Sequence, residues 1–199
     1  VLMAFFGIDA SGYGGLFVLY GLIGMGGAFI SLWMSKFMAK RMMGVVVIDP
    51  RTNDPVQREL VERVHDLARK AGLKKMPEVG VYEGQEVNAF ATGPSKNNSL
   101  VAVSTGLLRR MNRDQVEGVL AHEVAHIANG DMVTMTLLQG VINTVVLVLA
   151  RIISSVATSG LDERARWGAQ FALFMVLQIL LGILGSLIVN FFSRHREFR

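Results

Sequence analysis

The sequence predicts an α+β fold: a small water-soluble domain flanked by transmembrane α-helices. Three observations predict it. Long uncharged apolar runs occur three times in 199 residues, most of the acidic and basic residues lie between Lys36 and Asp131, and within that interval short β-branched runs alternate with helical patterns. Hydrophobic residues make up 51% of the chain and charged residues 18%, with a mean hydropathy of +0.41. A soluble domain usually carries about 25% charged residues, so this composition argues against a disordered, collagen-like or mucin-like chain and against a simple soluble enzyme. The net charge of +4 comes with no basic block interleaved with aromatics, so no nucleic-acid partner is expected. Cysteine is absent, which removes disulfides, a cysteine nucleophile and any thiolate zinc site.

In chain order, residues 1–8 read as the remnant of a preceding apolar segment, because the chain opens on Val1 and not Met. The charged cluster at 194–199 reads as the start of something further, so the chain is expected to be a piece of a longer protein. Residues 10–35, 132–150 and 167–193 are the three apolar runs, each near the ~20 residues a membrane-spanning helix needs. The second contains Thr134, Thr136, Gln139 and Asn143, and suits a buried or interfacial helix as well as a span. Residues 151–166 read as a loop between the last two runs. The pairs Gly24/Ala28, Gly27/Ser31 and Gly182/Ser186 place small residues four apart, a spacing that lets helix backbones approach in lipid. Lys36, Lys40 and Arg41 follow the first run, and Arg194, Arg196 and Arg199 follow the third. By the positive-inside rule both of these ends face the cytoplasm.

Residues 36–131 form the stretch able to build a soluble core. Gly44–Ile48 reads as a strand, and Asp54-Pro55 opens a helix with Asp as N-cap and Pro at its first position. Val56, Leu60, Val64, Leu67 and Ala71 recur at helical spacing before Gly72. Glu78–Glu83, Val87–Thr92 and Leu100–Ser104 read as strands, the last two joined by turn chemistry at 93–98. Asn112 caps the next helix, whose apolar face holds Val116, Val119, Leu120, Val124 and Ile127, and Gly130 stops it.

That helix contains His122-Glu123-Val124-Ala125-His126. Histidines four apart share one helix face about 6 Å apart along the axis, close enough for both imidazoles to ligate one ion. Glu123 lies about 100° around the helix from His122, displaced from the ligands and able to reach a water in the ion's open position. This is the H-E-x-x-H zinc arrangement, with glutamate as general base; two solvated histidines on a polar face are the plain alternative. A catalytic zinc takes a third protein ligand. His65 lies among charged residues and reads as a solvated surface histidine, and Asp131 reads as the cap of the following helix. The cluster Ser193-Arg194-His195-Arg196-Glu197 remains. Two spans separate His126 from Glu197, which returns the chain to the same side of the membrane.

Several stretches together resemble the HtpX family of membrane-bound zinc metalloproteases, relatives of the eukaryotic CAAX prenyl proteases. They are Ser31-Leu-Trp-Met-Ser-Lys36, Asn88-Ala-Phe-Ala-Thr-Gly93, Ser99-Leu-Val-Ala-Val-Ser-Thr-Gly-Leu-Leu108, Ala121-His-Glu-Val-Ala-His-Ile-Ala-Asn-Gly-Asp-Met132 and Ser193-Arg-His-Arg-Glu-Phe198. The resemblance implies a zincin-like catalytic domain in a multi-pass protein of the bacterial inner membrane. It also implies a stress-response protease in membrane quality control, with one zinc per chain held by His122, His126 and Glu197, and Glu123 as base. Residues 194–199 are then the start of a third-ligand helix, and the family's aspartate four residues after the glutamate ligand falls beyond Arg199.

On this reading the substrates are membrane proteins or unfolded polypeptides. Asn88, Ala89, Phe90 and Ala91 resemble the family's strand beside the active site, where substrate pairs as an added strand. The plain alternative is an edge strand with Phe90 in the core. Two other function classes compete: a metal-binding scaffold without hydrolysis, and a small transporter or channel. The absence of ionisable residues within the apolar runs weighs against the last.

Overall fold

The computed structural model describes residues 13–197, so the apolar remnant at residues 1–8 lies outside the described residues. The elements are α1 (Tyr13–Met42), β1 (Val46–Val47), α2 (Pro55–Lys70), β2 (Glu78–Tyr82), β3 (Ala89–Ser95), β4 (Asn98–Ser104), α3 (Thr105–Arg110), α4 (Arg113–Asn129), α5 (Asp131–Ala157) and α6 (Glu163–Glu197). They divide into two compact units, one being Ser31–Thr134 and the other the segments up to Ile30 and from Met135 onward.

In the first unit a four-stranded sheet has the order β1-β2-β4-β3. β4 runs parallel to β2 and antiparallel to β3, and β1 pairs antiparallel with β2. Side chains alternate along a strand, so β4 feeds two cores. Val101 and Val103 join Leu60, Val61, Val64 and Ala68 of α2 and Val116, Leu120, Val124 and Ile127 of α4. Leu100 and Ala102 join Ala39, Val45, Tyr82 and Phe90 on the opposite face. A strand covered on both faces reads as a continuous apolar run, as 99–104 does.

The helix ends follow the sequence signals. Asp54 accepts hydrogen bonds from the Val56 and Gln57 N–H groups, with Pro55 opening α2. Asn112 and Gln115 form a reciprocal capping box on α4, and Gly130 closes it in the left-handed conformation (φ 75°). A cap contributes about 1 kcal/mol, whereas each of the four buried apolar side chains of α4 contributes about 1.5–3 kcal/mol. Packing therefore holds the helix, and the caps set its ends.

Other bounds differ from expectation. Within Gly44–Ile48 only Val46–Val47 pairs as strand. The turn read at 93–98 contracts to Lys96-Asn97, because Gly93 and Pro94 stay in β3 at a register shift between Thr92 and Ser95. Gly93 has φ 146°, and a Cβ there would sit 2.2 Å from the Asn98 carbonyl oxygen. Pro94 lacks an N–H, which an edge strand tolerates at such an irregularity. Helix α3 has no counterpart in the sequence reading: it opens directly from β4, with Ser104 Oγ accepting from the Leu107 N–H at 3.1 Å.

Lys36 and Lys40, near the end of α1, hold Glu78 at 2.9 and 2.7 Å. Burial pushes the Glu78 carboxyl up, but the two ammonium groups outweigh it and hold it below the usual carboxylate value. A lowered native pKa contributes stability that is present above the unfolded value and lost as pH falls through the native one. Thermal unfolding in detergent is therefore expected to show Glu78→Gln less stable than wild type at neutral pH, with the gap closing as pH falls from about 6 to about 3. A constant gap over that range would separate Glu78 from the acid response.

The second unit contains helical segments of α1, α5 and α6. Phe17–Met42, Asp131–Ala157 and Glu163–Phe191 are each long and apolar enough to cross a membrane. Two helices overrun the apolar runs: α5 continues through Arg151 to Ala157, and α6 starts at Glu163. The loop read at 151–166 shrinks to 158–162, since a charged residue does not stop a helix once propagation has begun. Of the small-residue pairs, Gly24 and Ala28 do pack: a Cβ on Gly24 would meet Thr144 Oγ1 at 2.5 Å, and one on Gly140 would lie 3.4 Å from the Ala28 Cβ. Among the described residues, Gly27 and Gly182 face nothing within 4 Å.

Candidate metal centre

Helix α4 presents its buried residues to the sheet and carries His122, Glu123 and His126 along its more accessible side. His122 is exposed, and Glu123 and His126 are half-buried. The Nε2 atoms of His122 and His126 stand 3.0 Å apart, with ring centroids at 4.4 Å and planes at 82°. Two nitrogens bound tetrahedrally at about 2.0–2.1 Å from one zinc ion stand about 3.3 Å apart, so this pair fits a shared metal with little adjustment.

His126 Nδ1 lies 2.6 Å from Asp131 Oδ2. As the Nδ1–H tautomer it donates to that carboxylate and leaves the Nε2 lone pair directed toward His122, the usual way a protein orients a metal-ligating imidazole. The sequence reading took Asp131 for a helix cap. Instead Gly130 turns the chain, its carbonyl accepts from the Val133 and Thr134 N–H groups, and Asp131 is the first residue of α5. The signal was the separation of five residues across a glycine stop, which folds the carboxylate back onto the last turn of α4. His65 is corrected as well. It is half-buried, and its Nε2 lies 3.1 Å from the Pro77 carbonyl oxygen, joining α2 to the approach of β2.

Glu123 reaches the sheet edge, where its carboxylate accepts the Ala91 N–H of β3. Burial pushes the carboxyl above its usual value, outweighing the lowering effects of the two imidazoles and the Ala91 N–H. The register explains why Ala91 is available. The Ser104 N–H donates to the Asn88 carbonyl at 2.9 Å, which makes 88/104 a hydrogen-bonded pair, and alternation makes 90/102 another. Ala89 and Ala91, opposite Val103 and Val101, therefore turn their backbone groups away from β4. Phe90 packs into the core beneath, its ring 5.7 Å from that of Tyr82. The exposed Asn88 leads into the strand, its N–H 3.2 Å from Ser104 Oγ. At the hairpin tip Lys96 Nζ donates to the Ala128 carbonyl, tying the loop to the last turn of α4.

Glu197 is the last residue of α6, and its side chain lies outside the described residues. Among the described residues no group of three or more metal-ligating side chains converges. The structure thus brings together His122, His126, Glu123, Asp131 and the β3 edge.

The family model for peptidase family M48 matches residues 55–199, a stretch that contains the α4 site. The chain belongs to peptidase family M48. Among curated relatives of this M48 member, "Protease HtpX homolog" of Bacillus licheniformis is 57% identical over 185 residues, covering 92% of this chain and 62% of the relative. "Protease HtpX" of Shewanella denitrificans is 52% identical over 206 residues, covering 100% and 71%, and that of Pasteurella multocida is 53% identical over 199 residues, covering 100% and 69%. The likeness to the HtpX family seen in the motifs therefore extends over nearly the whole chain. The M48 chain spans about two thirds of the length of these relatives, and less than that of the first.

The Asp131–His126 contact has a measurable consequence. Hydrogen-bond partners that orient metal-ligating histidines typically contribute 10–100-fold in metal affinity. Asp131→Asn is expected to weaken zinc binding by about that factor without emptying the site at saturating metal. Competition with a fluorescent chelator measures it, and an unchanged affinity would leave Asp131 with a purely structural role.

Proposed function

We propose that this chain carries the catalytic core of a membrane-bound zinc metalloendopeptidase that clips or degrades membrane proteins and unfolded polypeptides in membrane quality control. The observation that carries this reading is the pair of imidazole Nε2 atoms 3.0 Å apart, with a carboxylate beside them on a sheet edge, inside a region that matches a peptidase family. His122, His126 and Glu197 hold one zinc ion, and Asp131 orients His126. Bound there, zinc supplies Lewis acidity that polarises the scissile carbonyl and acidifies an attacking water.

Glu123 accepts the proton of that water and delivers it to the leaving amine nitrogen. The backbone of β3 aligns the substrate as an added strand through the outward groups of Ala89 and the Ala91 carbonyl. The Ala91 N–H stays with Glu123 and fixes the base against that strand. Asn88 and Phe90 act at the two borders of this surface, Asn88 through its exposed side chain and Phe90 by anchoring the strand from beneath. The basic residues after the first and third apolar runs support an orientation with this domain on the cytoplasmic side, and the membrane proposed is the bacterial inner membrane.

The full-length protein in detergent is expected to cleave an unfolded polypeptide, to stop when a chelator removes its metal, and to recover with one equivalent of zinc per chain. Cleavage unchanged after metal stripping would overturn the reading. So would a protein with one zinc bound that cuts nothing, which would favour the scaffold.

A further inference from the structure

Helix α4 is fastened at two points to strand β3 and the turn that follows it. At the first, the Glu123 carboxylate accepts the Ala91 N–H. At the second, five residues further along each element, Lys96 Nζ donates to the Ala128 carbonyl. His126, one of the two imidazoles, lies between these points on the helix. The last carbonyls of a helix lack partners within it. In α4 those of His126 and Ile127 accept from the Gly130 N–H. That of Ala128 accepts from Lys96, whose positive charge also suits the C-terminal end of the helix dipole. An exposed lysine ordinarily keeps its rotamers, about 2 kcal/mol of entropy, but both ends of this one are confined. Its stem lies over the helix stop, where a Cβ on Gly130 would sit 2.9 Å from Lys96 Cε. The turn beneath it is held as well. Gly93 brings the hairpin strands so close that a Cβ there would sit 2.7 Å from Ser99 Cα. Asn98 Oδ1 accepts from Lys36 Nζ at 2.8 Å, and Lys36 is also paired with Glu78. All of these residues belong to the Ser31–Thr134 unit.

We infer that Lys96 is a positioning residue for peptide cleavage: it holds the last turn of α4, and His126 with it, in register with the strand that aligns the substrate. The inference rests on the proposed protease reading. On that reading the substrate backbone lies along β3 and the imidazoles ride on α4, so the reacting groups meet only if the two elements keep a fixed offset. A misplacement of about 1 Å can lower a rate about 100-fold. One contact leaves the helix able to pivot about it, and a second contact removes that freedom. Glu123 cannot serve alone for a further reason. Hydrogen bonds to an ionised acceptor are roughly twice as strong as neutral ones, so Glu123 loosens its hold on the Ala91 N–H once it has taken a proton. The Lys96 contact involves no group that changes charge in the reaction, and it keeps the register through that step.

The test uses full-length protein in detergent and two variants. Lys96→Met keeps the stem and removes the donor, and Lys96→Arg restores a charged donor. Lys96→Met is expected to lower kcat about three- to tenfold, less than a full misplacement because the Glu123–Ala91 contact remains. KM for an unfolded polypeptide, zinc content and unfolding temperature are expected to stay as in wild type, and Lys96→Arg is expected to recover most of kcat. Hydrogen exchange on the zinc-free protein needs neither metal nor turnover. There Lys96→Met is expected to speed exchange in residues 126–132 at least about threefold, with residues 113–120 unchanged. Unchanged kcat in an active enzyme overturns the inference, as does last-turn exchange equal to wild type. So does a lowered kcat that comes with a lowered unfolding temperature and faster exchange along all of α4, the mark of plain destabilisation. A wild type that cuts nothing overturns the protease reading and the positioning role with it, whereas the exchange result still shows whether Lys96 holds the turn.

Discussion

Replacing Glu123 by glutamine is expected to lower peptide cleavage by about 10²–10⁴-fold, the usual contribution of a general base, while zinc stays at one per chain. Glutamine keeps the size of the side chain and retains an oxygen to accept the Ala91 N–H, so the strand contact and the helix packing survive. It cannot take a proton from water at neutral pH. Glu123 is also displaced around the helix from the His122–His126 face, where the two Nε2 atoms stand 3.0 Å apart, so its replacement removes no ligand. The decisive comparison is rate against metal content on the same preparation. Undiminished cleavage would remove Glu123 from the base role. Lost zinc would make it a ligand and require a different proton acceptor.

The second large effect concerns the metal. Zinc content measured in detergent is expected to fall well below one per chain in both His122→Ala and Glu197→Ala, a heavier loss than the 10–100-fold weakening expected of an orienting partner such as Asp131. Two ligands hold zinc poorly, because a catalytic site draws on three protein donors and leaves the fourth position open. His122 is exposed and outside the buried core of α4, so its removal empties the site without unfolding the helix; circular dichroism on the same sample checks this. Unchanged zinc in Glu197→Ala would return the third position to its neighbours in the cluster, His195 first.

Much of this protein was legible in its residues because the signals were local. The helix over 113–129 follows from Asn112, the 3–4 spacing of Val116, Leu120, Val124 and Ile127, and Gly130. Those features depend only on helix geometry and on the unpaired groups at helix ends. The same geometry puts His122 and His126 on one face, so the closeness of the two imidazoles could be read before any fold was known. The apolar runs are legible for a similar reason, since lipid selects composition directly. The bounds of α5 and α6 were not, because helix propagation carries past the point where hydropathy falls.

What only the tertiary structure decided lies across sequence separations that no local pattern encodes. The parallel pairing of β2 with β4 leaves β3 at the sheet edge, and the pleat then turns Ala91 outward, where α4 delivers Glu123 to its N–H. Asp131 is close to His126 in sequence, yet its role depends on the turn at Gly130 sending the carboxylate back onto the imidazole. His65 changed from a solvated side chain to a backbone anchor for the same reason, since Pro77 reaches it only once α2 packs on the sheet. The sequence by itself determined which side chains share one helix face and which segments are apolar, because residue spacing and apolar periodicity are properties of single elements. Tertiary structure decided which backbone and carboxylate groups lie beside those histidines, because hydrogen bonds between elements form only after their buried faces have met.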